Sequence, residues 1–239
     1  MWITHPDNII LNNAVAGSDA YGYWYDMFET AVGPSYDPNV CPIGAKLGEF
    51  SGNSAHSVKK YGLRIHHFHL PREDPCSPVE YDVENPEDPY HTNHPITAVY
   101  ENFVGWAAGR CAAIVELAGA MEFKNMRTAD SQIANIEWSL VEVAEGYTSI
   151  KNALSVGNTG FNDANGELSN LTLWGLITAR SENLTVSNVS FYNFDFADSA
   201  AFGQCSHCFH DASTDSGART VTLDNIFIDD ATVPRKIRW

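Results

Sequence analysis

Residues 12–24 read Asn-Asn-Ala-Val-Ala-Gly-Ser-Asp-Ala-Tyr-Gly-Tyr-Trp, and residues 52–64 read Gly-Asn-Ser-Ala-His-Ser-Val-Lys-Lys-Tyr-Gly-Leu-Arg. Aligned without a gap, Asn13 falls on Asn53, Tyr21 on Tyr61 and Gly22 on Gly62. Further asparagines recur two positions after an aromatic or aliphatic residue, in Tyr100-Glu-Asn102, Phe123-Lys-Asn125 and Ile150-Lys-Asn152. Recurrence of this kind marks a stack of small units that bury their apolar faces only against each other.

The period sets the type of unit. Asn102 to Asn125 is 23 residues and Asn125 to Asn152 is 27. Asn13 to Asn53 and Asn53 to Asn102 are 40 and 49, but each interval contains a proline-rich stretch, about 26–45 and about 71–96. Nine of the eleven prolines lie there, as expected for insertions kept out of hydrogen-bonded strands. What remains is a coil of about 20–27 residues, too short for a paired-helix repeat. No leucine-rich spacing recurs. Alternating runs at Leu184–Phe194 and Thr220–Ile228 read as strands by their period of two. The expected fold is all-β: a right-handed, single-stranded parallel β-helix over residues 1–239, one segment of a larger protein, with loop insertions at about 26–45 and 71–96. Trp106–Met121, rich in Ala, Gly and Val, reads as a buried strand pair or as one short helix.

In such a stack, equivalent positions lie above one another. The nineteen asparagines suit it, because Asn tolerates a left-handed corner and its amides stack in ladders. The plainer alternative is that asparagine simply marks loops. Gly17, Gly22, Gly62 and Gly157 are expected at corners needing positive φ.

An apolar content of 44% supports a substantial core. The net charge of −16 argues against nucleic acid and anionic membranes and weakens the case for a polyanionic glycan. An acidic surface of this kind is compatible with Ca²⁺, although no cofactor is required. No apolar run approaches 18 residues, so no membrane insertion is expected within this segment, and no signal peptide is visible. Sequons at Asn170, Asn183 and Asn188, with five cysteines, point outside the cell. Both insertions leave the stack shortly after the matched Tyr-Gly pair, so Cys41 and Cys76 are expected to form a disulfide. Its closed loop of about 36 residues would stabilise by about 4 kcal/mol in the chain-entropy model.

Cys205-Ser-His-Cys208-Phe-His210 offers Cys205, His207, Cys208 and His210 as zinc ligands, but four ligands in so short a span close a tetrahedron poorly. A local Cys205–Cys208 disulfide is preferred, which leaves Cys111 as a buried thiol. His66-His-Phe-His69 reads as a strand end with outward polar residues, His67 and His69 sharing one face. Glycoside hydrolysis needs paired carboxylates. Asp195 and Asp198 form one weak catalytic pair, with Asp229 and Asp230 nearby if the coils stack; Asp19 and Asp26 form another. Trp24, Tyr25 and Asp26 are candidates for stacking on and binding a glycan. No phosphate loop, Ser-His-Asp signature or H-E-x-x-H is present.

Trp2-Ile-Thr-His-Pro-Asp-Asn8, Asn12–Tyr25, Gly33-Pro-Ser35, Leu47-Gly-Glu-Phe50, Asn53-Ser-Ala-His-Ser57 and Gly62-Leu-Arg-Ile65 together carry a resemblance. They look like the parallel β-helix region of the family of fibrocystin-L, the cell-migration-inducing hyaluronan-binding protein and the transmembrane hyaluronidase. The resemblance is close over residues 2 to about 70 and rests on coil pattern beyond. It implies a large extracellular or cell-surface protein, with a ciliary or flagellar surface as one setting. Some relatives bind or depolymerise hyaluronan; others form surface coats. His5 stands where the family motif usually has asparagine, and the family's glycine-rich domain is absent, so no catalytic residue is carried over. Two functions follow. One is a structural and adhesive segment of a surface glycoprotein, contacting other extracellular chains or further copies of its parent. The other is a segment of a polysaccharide-binding or hyaluronan-depolymerising enzyme, either hydrolase or lyase.

Overall fold

The structure is a computed structural model that describes residues 1–77, 92–140, 148–160, 172–178, 184–196, 198–204, 221–229 and 237–238. The first turns are β1 (Trp2–Ile3), β2 (Ile9–Leu11), β3 (Ala14–Ala16) and β4 (Tyr21–Asp26), then β5 (Glu49–Ser51), β6 (Ser54–His56) and β7 (Tyr61–His69). The middle holds β8 (Ala98–Glu101), β9 (Val104–Trp106), β10 (Cys111–Ala118), β11 (Met121–Lys124), β12 (Arg127–Ala129) and β13 (Ala134–Leu140). The last part holds β14 (Thr148–Lys151), β15 (Leu154–Val156), β16 (Trp174–Thr178), β17 (Leu184–Tyr192), β18 (Ala200–Gln204), β19 (Val221–Ile228) and β20 (Ile237–Arg238).

Every strand pairs in parallel with its equivalent one coil away. The order β1-β4-β7-β10-β13-β16-β18-β20 makes one face. β2-β5-β8-β11-β14 and β3-β6-β9-β12-β15 make two more, joined by the long β17 and continued by β19. This is a parallel β-helix, as the repeat implies. Trp106–Met121 resolves as strand: β9 ends in it, β10 fills most of it, and β11 begins at its end.

Side chains stack as the register dictates. Ile10, Phe50, Tyr100, Phe123, Ile150 and Val186 succeed one another along one inner row, all buried. Tyr23, Leu63, Ala113, Ile136, Leu176 and Phe202 form the facing row. Fully burying each large side chain contributes roughly 1.5–3 kcal/mol.

The recurrent asparagine divides into two rows one residue apart. Asn12, Asn102, Asn125, Asn152, Asn188 and Asn225 occupy left-handed corners at φ 48–55°, and Gly52 takes the same corner at 67°. Their amides form a ladder: Asn125 Nδ2 donates to Asn102 Oδ1 at 3.0 Å, Asn188 to Asn152 at 3.2 Å and Asn225 to Asn188 at 2.7 Å. Asn13 and Asn53 belong to the next row, the position of Phe103, Met126 and Ala153. There Asn53 is buried, donating to Ile10 O at 2.7 Å and accepting from Asn13 N at 3.0 Å.

The glycine expectation needs correction at three of four positions. Gly17 has φ +67°, but Gly22, Gly62 and Gly157 are not at positive φ. They are required by close approach instead. A Cβ on Gly62 would lie 2.5 Å from Ala112 O, and one on Gly22 would lie 2.4 Å from Gly62 O.

Between β4 and β5 the chain makes only a short 3₁₀ turn at Gly33–Ser35; between β7 and β8 it makes an isolated bridge, Arg72 to Pro95. The two segments pack together through Leu70 N to Ile43 O and Arg72 N to Gly44 O, both 2.9 Å. A Cys41–Cys76 disulfide joins them, with Cα atoms 5.3 Å apart. His69 departs from the outward reading. It is fully buried, its Nε2 bonded to Ala45 O at 3.1 Å and its Nδ1 to Tyr100 Oη at 3.3 Å. Burial holds its pKa down at about 4.

The alternation of β7 accounts for this, since His69 shares the parity of the buried Leu63 and Ile65. Ile65 pairs with Val115 but Phe68 pairs with Leu117, so His66 and His67 together oppose the single Glu116. The extra residue is a β-bulge. Cys111 is a free, buried thiol whose Sγ donates to Glu137 Oε2 at 3.1 Å. Desolvation raises its pKa well above the usual thiol range, which makes it a poor nucleophile.

Candidate functional site

Tyr21-Gly-Tyr-Trp-Tyr-Asp26 alternates around a close contact. The Cβ direction of Gly22 points at the core residue Ala55, and Tyr23 also turns inward, so Trp24 faces out, Tyr25 in and Asp26 out. Tyr25 is thereby excluded as a glycan-stacking residue. Its ring lies in the core, edge-on to Tyr100 at 5.3 Å and to Phe50 at 6.1 Å. Burial pushes its hydroxyl far above the usual phenol range.

Trp24 and Asp26 point away from the core, Asp26 buried beneath its neighbours, among residues from three other strands. Trp2 stacks on Trp24 at 5.8 Å and 20°, keeps 66% of its surface exposed, and donates from Nε1 to Asp26 Oδ2 at 3.0 Å. Tyr21 packs on Trp24 at 4.9 Å and stacks parallel with Tyr61 at 6.0 Å. Arg64, the register partner of Trp24, lays its guanidinium 4.9 Å from the Tyr21 centroid and 5.6 Å from those of Trp24 and Tyr61. Such cation–π contacts each contribute about 0.5–2 kcal/mol.

Polar partners fix this arrangement. Arg64 Nη1 donates to Tyr21 Oη at 2.6 Å, and Nη2 donates to both Glu116 oxygens at 2.9 and 3.0 Å. His66 Nδ1 makes a short contact with Glu116 Oε2, an oxygen it shares with Arg64 Nη2. The three side chains are 14–26% exposed, reachable but held. Glu116 follows Val115, the register partner of Ile65, which sets it beside His66 and on the same face as Arg64. Tyr61, mostly buried beneath, has its pKa pushed up to about 12 by desolvation.

Glu116 is committed to an arginine and a histidine, and Asp26 accepts from an indole. Of the paired-carboxylate alternatives, Asp19 and Asp26 do not assemble. Asp19 lies on the exposed turn before β4, so the strand separates it from Asp26 by roughly 17 Å or more at about 3.3 Å per residue. A glycosidase pair needs less than about 10 Å. Asp195 and Asp198 are solvent-exposed on the turn between β17 and β18, while Asp229 is held a coil away, its N–H donating to Phe191 O at 2.9 Å. Asp230, the Cys205–His210 cluster, Asn170 and Asn183 lie outside the described residues. Among the described residues no group of three or more His, Cys, Asp or Glu converges as a metal site would, and no helix is long and apolar enough to cross a membrane.

Sequence reading missed Trp2, Tyr21, Arg64, His66 and Glu116. Two of these were within reach of the internal repeat, which sets Trp24 on Arg64 and, two steps on, Asp26 on His66. Glu116 was not, because the second insertion separates its coil from the matched 12–24/52–64 repeat.

The comparisons with known proteins bear on the same coils. The family model described as CEMIP beta-helix matches residues 1–63. Human fibrocystin-L is 32% identical over 210 residues, 84% of this chain and 4% of that protein. The human cell migration-inducing and hyaluronan-binding protein is 26% identical over 195 residues, 73% of this chain and 13% of that protein. The human cell surface hyaluronidase CEMIP2 is 41% identical over 66 residues, 27% of this chain and 5% of that protein. The chain thus spans a small fraction of the relatives it matches, and no solved structure matches it significantly. In sequence and architecture, the chain belongs with the parallel β-helix regions of the fibrocystin-L and CEMIP family.

Proposed function

We propose that this chain is a rigid adhesive segment of an extracellular or cell-surface glycoprotein, and that the outer face of β1, β4, β7 and β10 docks a glycan. The observation that carries this is the row of Trp2, Trp24 and Tyr21 held by Arg64, Asp26 and Glu116 on a continuous sheet. Aromatic faces cover the apolar side of a sugar ring, while the partly exposed Glu116 carboxylate and Arg64 guanidinium address its hydroxyls. The net charge of −16 favours a neutral glycan over a polyanion. Other extracellular chains, or further copies of the parent, contact the remaining faces, and a ciliary surface is one setting for such a molecule.

A second reading, hyaluronan depolymerisation, is supported by relatives whose names include hyaluronidase. The experiment is a size assay: the native parent protein is incubated with neutral glycans and with hyaluronan, with and without Ca²⁺. Intact chains together with retention of a neutral glycan support the docking face. Shortened hyaluronan overturns it in favour of the enzyme.

A further inference from the structure

The left-handed asparagine ladder lines a second feature, remote in sequence from the aromatic row. An open groove of about 870 Å³ follows it on the outer surface. The ladder from Asn102 to Asn188 forms its floor, and Val104, Arg127, Leu154 and Tyr192 line the adjoining strands. Val104 and Tyr192 leave 38% and 37% of their surface uncovered, and Phe227, at 50%, packs on Tyr192 at 5.4 Å.

Of the asparagines in this ladder, Asn188 alone begins a sequon, Asn188-Val-Ser190. Its side chain is exposed, and its ladder bonds leave the needed atom available. An asparagine amide has two N–H groups and one oxygen. Nδ2 of Asn188 donates once, to Asn152 Oδ1 at 3.2 Å, and Oδ1 accepts from Asn225 Nδ2 at 2.7 Å. The second N–H is not used by the ladder, so replacing it with a sugar carbon breaks neither bond.

We infer that Asn188 is an N-glycosylation site and that the groove cradles the first sugars of its glycan. The bond formed joins Asn188 Nδ2 to C1 of the first N-acetylhexosamine. The bond broken is C1–O of a lipid pyrophosphate-linked oligosaccharide; the lipid pyrophosphate leaves and Nδ2 loses one proton. The Cys41–Cys76 disulfide places the chain on the oxidising route where such donors act. From Asn188 the strand runs outward past Ser190 to Tyr192, roughly 13 Å at about 3.3 Å per residue. A glycan following it covers the exposed rings of Tyr192 and Phe227, which otherwise stand in water.

The test uses the parent protein secreted from cells with an intact glycosylation pathway. Amidase release of glycans in ¹⁸O water is expected to convert Asn188 to labelled aspartate, and Ser190→Ala to abolish the label at that position. Secreted protein carrying unmodified Asn188 overturns the site. For the cradle, release from folded protein is expected to be at least tenfold slower than from denatured protein, and Tyr192→Ala to recover most of that difference. Equal rates for folded and denatured protein overturn the cradle. Should Tyr192→Ala fail to fold, Arg127→Ala on the groove wall serves in its place, with the same two outcomes.

Discussion

At Asn125 one residue meets two demands. Its φ of 54° is costly for most L-residues, and its amide bonds to Asn102. Asn125→Ala is expected to lose about 1–2 kcal/mol in chemical denaturation, while Asn125→Gly, which relieves the backbone but drops the ladder bond, loses less. Equal losses would mean that the corner conformation contributes nothing. His69 gives a second residue-scale test. Its pKa is lowered from 6.5 to about 4 because the ring is buried, so the unfolded chain binds a proton that the folded one rejects. Its contribution is complete above pH 6.5 and is lost as pH falls to about 4, roughly 3 kcal/mol in all. Melting followed between pH 7 and 4 should therefore show a fall that His69→Gln reduces. An unchanged pH profile in that variant would remove His69 as its source.

At the scale of elements, the inner rows and the tethered loops decide stability. Phe123 is fully buried between Tyr100 and Ile150 of neighbouring coils, and Phe123→Ala should cost about 3–5 kcal/mol, read as a shifted denaturation midpoint. Replacing Cys41 and Cys76 with serine should cost about 2–4 kcal/mol and raise hydrogen exchange in the loops around Ile43 and Leu70. Unaltered exchange there would show that backbone pairing alone holds the loops. The coil stack was legible because strand alternation and the 12–24/52–64 repeat both follow from backbone spacing. The split of the asparagines into two rows was not: Asn13 and Asn53 match each other, yet pack one residue past the corner that Asn12 and Gly52 occupy. Likewise Gly22 and Gly62 looked like turn residues, when the constraint is a neighbouring backbone oxygen that only the stacked coils reveal. Tyr25 could have been read correctly, since neighbours of an outward Trp24 point inward by alternation.

Across the whole molecule, the β-helix converts residues distant in sequence into continuous rows. Trp2, Trp24, Arg64 and Glu116 meet only because β1, β4, β7 and β10 hydrogen-bond in sequence, and the insertions leave that face's register intact apart from one bulge. A row built on so many backbone bonds is pre-organised, which lowers the ordering cost of binding an extended ligand. The measurement that tests this most directly is a binding isotherm of a neutral oligosaccharide on the native parent protein, beside Trp24→Ala and Arg64→Gln. Each substitution should weaken binding at least tenfold, with little dependence on salt and with the melting temperature of Trp24→Ala near that of the parent. Full affinity retained by a folded Trp24→Ala protein would contradict the account.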